Sequence, residues 1–209
     1  MSFVQPLIVT GATGGLGSVV LARLATSYRC AALSRSQADL TDPASVRLAI
    51  RRIAEEYGPP YGLVHLAGGF APGSLLETSD ETWARMLGLN LTSAFTCIRE
   101  TLSVMDRGSA GRIIAISSEA ALSKAKGSVA YTVSKSGLGV LIEVLARELA
   151  GTKITANALL PSALDTPAMR ESKAREHLVP LERVAETIAF LLSEEAANVQ
   201  GALIPLSAR

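Results

Sequence analysis

The chain is sparing with the groups that most often announce a special chemistry. It has two cysteines in 209 residues, Cys30 and Cys97, each alone in apolar surroundings and without paired spacing. That argues against a disulfide framework or a thiolate metal cluster and points to core thiols in a reducing compartment. The two histidines, His65 and His177, are not grouped with cysteines or carboxylates, so no metal site is expected. Excess charge is also missing: 20 basic and 19 acidic residues leave a formal net charge of +1, and the basic ones are scattered. A nucleic-acid or membrane-surface binder needs a cationic face, so neither partner is expected. No charged-then-apolar leader precedes Phe3, and no apolar run of membrane-spanning length stands out, which predicts a soluble, cytoplasmic protein.

What is plentiful is apolar residue, 48% of the chain, enough for one well-packed domain over 1–209 and little for two. Short apolar runs alternate with longer periodic segments. Strands are predicted in FVQPLIVTG, CAALS, GLVHLAGG, RIIAISS, ITANALLP and ALIPL. Between them lie helical GSVVLARLATSY, PASVRLAIRRIAEEY, a long TSDETWARMLGLNLTSAFTCIRETLSVM, VAYTVSKSGLGVLIEVLARELA and LERVAETIAFLLS. Asp42 before Pro43 is a good N-cap, and Thr78 with Glu81 forms a capping box for the long helix. Strands apolar throughout and alternating with helices predict a doubly wound α/β domain, its parallel sheet covered on both faces. Ligands of such sheets bind beyond the carboxyl ends of the strands.

The motifs fall at those ends. After the first strand comes TGATGGLG, where Gly11, Gly15 and Gly17 open a helix. Glycines there allow a tight turn and a close backbone approach to a pyrophosphate, whose charge the helix N-terminus stabilises. The spacing differs from the usual Gly-x-Gly-x-x-Gly, and an ordinary glycine-rich turn is the plainer alternative. In YTVSK, Tyr131 and Lys135 stand four apart on a stripe with Leu138, Ile142, Leu145 and Leu149. A lysine on an apolar stripe needs a reason: it either snorkels to water or serves the tyrosine. An ammonium one turn away would lower the phenol's pKa from about 10 toward neutrality, making an acid–base group. Asn90 shares a stripe with Trp83, Leu87, Ala94 and Ile98; a side chain bonded to neighbouring backbone is the simple account. His65 is expected to be a satisfied strand residue rather than a catalyst.

Together, TGATGGLG, Asn90, the serine pair 117–118 and YTVSK resemble the short-chain dehydrogenase/reductase family, in family order and over nearly the whole chain. The resemblance implies a Rossmann-type NAD(P)-binding fold and hydride transfer to or from a carbonyl or alcohol. By it, Asn90, Ser118, Tyr131 and Lys135 are the catalytic set, Ser117 being structural. Tyr131 exchanges the proton, Ser118 bonds the substrate oxygen, and Asn90 holds a water that links Lys135 to solvent. The implied cofactor contacts are Gly11, Thr13, Gly14, Gly15, Leu16 and Gly17 in the first loop, and Ser34, Arg35, Asp39 and Leu40 after the second strand. Ala67, Gly68 and Gly69 follow, then Tyr131 and Lys135, with Pro161, Leu164 and Thr166 at the nicotinamide.

The chain also departs from that family. SRSQADLTD replaces a helix and an edge strand, which predicts the second strand at or near the sheet edge. HLAGG loses the asparagines of Asn-Asn-Ala-Gly, Ser162 replaces a glycine, and the segment after Thr166 leaves little room for a lid. These trims resemble dihydropteridine reductase, so a reductase of a planar ring is an alternative; a catalytically silent NADP(H)-binding sensor is another. Ser34 and Arg35 in place of a carboxylate predict NADP(H) over NAD(H), because a guanidinium suits a 2′-phosphate. Gly14, where relatives often carry a second basic residue, weighs the other way, and Arg35 as a plain surface residue is the alternative. Finally, Met86, Leu91, Phe95 and Leu102 on one helix and Val140, Leu141 and Val144 on another leave apolar surface beyond one stripe. That predicts a homodimer or homotetramer, as the family resemblance does.

Overall fold

The computed structural model describes residues 6–34, 36–124, 126–172 and 177–208. All six expected strands form: β1 (Pro6–Thr10), β2 (Arg29–Leu33), β3 (Gly62–His65), β4 (Gly111–Ile116), β5 (Ile154–Pro161) and β6 (Leu203–Leu206). They pair in parallel in the order β2-β1-β3-β4-β5-β6. The shortened connection after β2 leaves that strand at the edge, as its sequence predicts. Successive residues of a strand serve opposite layers. Leu7, Val9 and Ile114 pack under α1 (Gly15–Leu24) and α8 (Leu181–Leu192). Ile8, Ile113 and Ala158 pack under α2 (Pro43–Tyr57), α4 (Ser93–Val104) and α6 (Val129–Glu148). With both faces covered, β3, β4 and β5 are buried along their whole length, including Thr155 and Asn157, which alternate with apolar residues in β5.

Local chemistry sets several boundaries. The Asp42 carboxylate accepts the N–H groups of Ala44 and Ser45 at 3.0 and 3.2 Å, and Pro43 opens α2. On α6 the stripe Lys135, Leu138, Ile142, Leu145 and Leu149 is buried, each aliphatic member contributing about 1.5–3 kcal/mol. Contrary to the sequence expectation, α6 is long and apolar enough to cross a membrane, with a mean hydropathy of 1.4 over its best window. In this fold that face covers the sheet.

The long helix expected over 78–105 forms without a gap from Asp80 to Val104 but is not α-helical throughout. It comprises α3 (Asp80–Leu87), a wide π turn (Gly88–Thr92) and α4. Its N-cap is Ser79, whose hydroxyl accepts the Thr82 N–H at 3.1 Å, while Thr78 donates to the Ser74 carbonyl at 2.8 Å. The N-cap is therefore displaced by one residue from the expected Thr78. In the π turn the Ser93 N–H bonds the carbonyl of Gly88, five residues back, and this extra residue changes the helical phase. Trp83 consequently leaves the stripe that Asn90 occupies and is exposed, whereas Met86 is buried against Ala71 and Ala130 rather than free for a partner. Two short helices, α5 (Ala120–Ser123) and α7 (Pro167–Ser172), have no counterpart in the sequence expectation.

Candidate active site

β1 and β3 are neighbours, yet the helices that follow them lie on opposite faces of the sheet. This is the switch point at which such sheets form a crevice. The backbone there is tightly packed. Gly11 has φ +66°, and a Cβ on it would stand 2.8 Å from the Ala67 nitrogen; one on Gly17 would stand 2.3 Å from the Gly11 carbonyl oxygen. Only glycine permits these approaches. Thr13, Gly14 and Gly15 are exposed. Gly14 caps α1 without a side-chain bond, and the first turn holds no acidic residue, so the positive helix end is left uncompensated. Leu16, by contrast, is buried in the layer of α1 and α8.

Other chain segments close on this loop. The Thr166 methyl lies 3.5 Å from the Cβ position of Gly15, bringing the segment after β5 to the start of α1. Pro161 ends β5 and accepts the Glu119 N–H at 3.0 Å, and Leu164 is bridged to Val179. Leu33 pairs with Thr10, which sets Ser34 at the adjoining strand end. The Ser34 N–H donates to Gln37 Oε1 at 2.7 Å, and its hydroxyl meets Ser36 at 2.8 Å. Asp39 accepts the Thr41 hydroxyl at 2.6 Å and the Thr41 N–H at 2.9 Å, bonds that hold its carboxyl below the usual range. Leu40 packs with the cluster of Leu33, Ala38 and Ala49. Arg35 lies outside the described residues.

The polar residues expected to do chemistry meet beyond β3 and β4. Ser118 follows β4 and stands close enough to the Tyr131 phenol, in the first turn of α6, to lower its pKa. Its neighbour Ser117 donates to the Lys135 carbonyl at 2.9 Å and is structural. Lys135 is only 5% exposed, so it does not snorkel; its Nζ donates to the Ile116 carbonyl at 2.7 Å. Burial brings its pKa down to about 8. Asn90, presented by the π turn, accepts the Gly69 N–H at 2.8 Å and donates to the Gly69 carbonyl and to Ser134 Oγ, both at 3.0 Å. Between them sits Gly68: a Cβ there would stand 2.7 Å from Asn90 Oδ1 and 3.2 Å from Lys135 Nζ.

One electrostatic expectation is reversed. The Tyr131 phenol is not pulled toward neutrality by the ammonium. Burial raises its pKa, and Ser118 offsets this only in part. The Lys135 ammonium is directed at a backbone carbonyl instead, a direction that a four-residue spacing cannot specify. Sequence reasoning also missed three residues that shape the site. Ser134 holds Asn90, Gln37 holds Ser34, and Phe70 sets its ring edge-on to Tyr131 with centroids 5.0 Å apart. A polar side chain beside Lys135 in YTVSK was a usable signal for Ser134; the other two carry none.

This geometry can be set beside known proteins. A model of enoyl-(acyl carrier protein) reductases matches residues 7–207. The 3-oxoacyl-[acyl-carrier-protein] reductase MabA of Mycobacterium tuberculosis is 30% identical, over 97% of this chain and 91% of its own. The reductase FabG of Pseudomonas aeruginosa is likewise 30% identical, over 96% and 94%. Among solved structures, a single-residue variant of the actinorhodin polyketide ketoreductase with NADPH superposes with a TM-score of 0.87 at 25% identity, over 98% and 96% of the two chains. A nearly full-length family match, two relatives at this identity and the same doubly wound frame agree that this chain belongs to the short-chain dehydrogenase/reductase family.

Proposed function

We propose that the protein is an NADP(H)-dependent reductase of 3-oxoacyl thioesters, with Asn90, Ser118, Tyr131 and Lys135 as its catalytic set. The observation that carries the chemistry is the placement of Ser118, at the end of β4, beside the Tyr131 phenol, whose pKa it lowers, backed by the buried Lys135 and Asn90. The thioester class is supported by what the relatives MabA and FabG are named for. The cofactor fit rests on the glycine cradle of Gly11 and Gly17 and the uncapped α1 terminus, which suit a pyrophosphate. Thr13, Gly14, Gly15, Leu16, Ala67, Gly68, Gly69, Pro161, Leu164 and Thr166 complete that lining, and Lys135 and Tyr131 border the nicotinamide end. Ser34 and Arg35 favour a 2′-phosphate, with Asp39 and Leu40 beside the adenine.

NADPH, when bound, supplies a hydride to the carbonyl carbon. Ser118 donates to the substrate oxygen as charge develops on it. Tyr131 gives that oxygen its phenolic proton. A phenol kept protonated by burial is already in the state this reduction requires. Lys135 and Asn90 hold the proton-return side of the site around Gly68. The test is NADPH consumption with a series of 3-oxoacyl thioesters, against NADH and against planar-ring substrates. Turnover of the thioesters with NADPH is expected; cofactor binding without turnover of any substrate would favour a silent sensor.

We also propose a homodimer built on α4 and α6. A surface groove between them is lined by Phe95, Ile98, Leu102, Leu141, Val144 and Leu145, and Val140 is exposed beside it. A second copy of this chain would cover that surface. Light scattering at micromolar concentration should give at least twice the 21.8 kDa chain mass, and a monomeric mass would overturn the proposal.

A further inference from the structure

His65 is wholly buried at the end of β3, where the family resemblance would place an asparagine, and no step above uses it. Its ring lies between two hydroxyls: Nδ1 is 3.0 Å from Thr10 Oγ1, and Nε2 is 3.4 Å from Ser93 Oγ. The surrounding bonds decide which nitrogen carries the proton. Ser93 donates its hydroxyl hydrogen to the Leu89 carbonyl at 2.7 Å, so toward His65 it can only accept. Nε2 must therefore be protonated. Nδ1 is then bare and accepts from the Thr10 hydroxyl, whose oxygen in turn accepts the Ala67 N–H at 3.4 Å. Every hydrogen in this chain has one direction.

Its two ends have functional addresses. Ala67 belongs to the turn packed against Gly11. Leu89 belongs to the π turn and adjoins Asn90, whose side chain brackets Gly69. We propose that His65, as the neutral Nε2–H tautomer, is a positioning residue that sets the π turn, and with it Asn90, against the Ala67–Gly69 turn for the reaction. The assignment rests on the proposed reductase chemistry. Burial foremost, and then the Lys135 ammonium on α6, disfavour a positive charge on the ring. Protonation would also place a donor opposite the Thr10 hydroxyl, which would have to turn its hydrogen away and accept instead.

The two ring nitrogens can be replaced one at a time. His65→Asn keeps an acceptor near the Nδ1 position for Thr10 but loses the donor to Ser93. His65→Gln reaches farther and supplies an N–H near the Nε2 position. If the Ser93 joint positions Asn90, His65→Asn lowers kcat roughly ten- to a hundred-fold with NADPH Kd within about threefold. His65→Gln then restores most of kcat. Equal kcat values in the native protein and both variants, or equal losses in both, would overturn the role. Should the variants fail to fold, 15N NMR of the imidazole in the native protein decides. A protonated Nε2 and bare Nδ1, unchanged from pH 8 to about 5, is expected given the folded pKa of about 3. An Nδ1–H tautomer or an imidazolium at neutral pH would overturn it. The NMR result needs no substrate, so it stands apart from any failure of the proposed reductase activity.

Discussion

The two ends of the crevice are built on opposite terms. At the β3–β4 end, Asn90, Lys135, His65 and Ser117 are buried, and each is bonded to backbone or to another buried side chain. At the β2 end, Ser34, Gln37, Asp39 and Thr41 bond one another at the surface of an edge strand. A buried polar group without a partner costs about 1–3 kcal/mol, so the first arrangement tolerates little change in geometry. Exposed bonds of the second kind are worth a fraction of that, because water can replace either partner. The site proposed to handle protons is thus fixed by the fold, whereas the site proposed to choose between cofactors is carried by side chains that can change without disturbing it.

The contrast can be broken most forcefully at the glycines joining the two ends. Gly17→Ala would put a Cβ 2.3 Å from the Gly11 carbonyl oxygen, so backbone must move. A cost of about 1–3 kcal/mol is expected. It should lower Tm by roughly 3–10 °C and weaken NADPH binding more than tenfold. A variant with native Tm and native Kd by titration calorimetry would show that the loop has slack.

A pH titration sharpens the contrast next. Burial sets His65 at about 3, below its ordinary 6.5, and Lys135 at about 8, below 10.5. In both cases the unfolded chain binds more protons within the shifted window. Stability therefore rises with pH from about 3 to 6.5 and again from about 8 to 10.5. Between pH 6.5 and about 5, above the range in which the paired carboxylates Asp39, Glu100 and Asp165 titrate, the slope isolates His65. Tm of the cofactor-free protein should fall with acid across that interval, and less so in His65→Asn. The surface groups at the β2 end should contribute no such slope. Identical slopes in the two proteins would mean that His65 charges freely in the fold.

The smallest effect is expected at the β2 end itself. Arg35→Ala should cost roughly ten- to a hundred-fold in kcat/KM for NADPH, leave NADH nearly unchanged and leave Tm within about 1 °C. Equal native values for the two cofactors, or a preference that survives the substitution, would remove Arg35 from cofactor choice.

Much of this was legible in the sequence because it is local. The Asp42–Pro43 start of α2, the six apolar strands and the edge position of β2 follow from nearest neighbours and from the length of one loop. YTVSK places Lys135 correctly on a buried stripe, with Tyr131 half-buried one turn before it. The π turn was not legible: GLNLT differs little from ordinary helix, and the tertiary bonds of Asn90 and Ser93 hold the wide turn. Hence Trp83 is exposed and Met86 buried, the reverse of what an unbroken 3.6-residue period predicts. The direction of the Tyr131 shift is not legible for a related reason: spacing puts the ammonium near the phenol but does not specify which oxygen it bonds.

The central claim, that the buried end does the chemistry through the Tyr131 phenol, has one direct measurement. In Tyr131→Phe, kcat with a 3-oxoacyl thioester and NADPH Kd by fluorescence are determined on the same preparation. A loss of about 10²–10⁴ in kcat with Kd within a few-fold of native is predicted. Retention of more than about a tenth of the native kcat would contradict it.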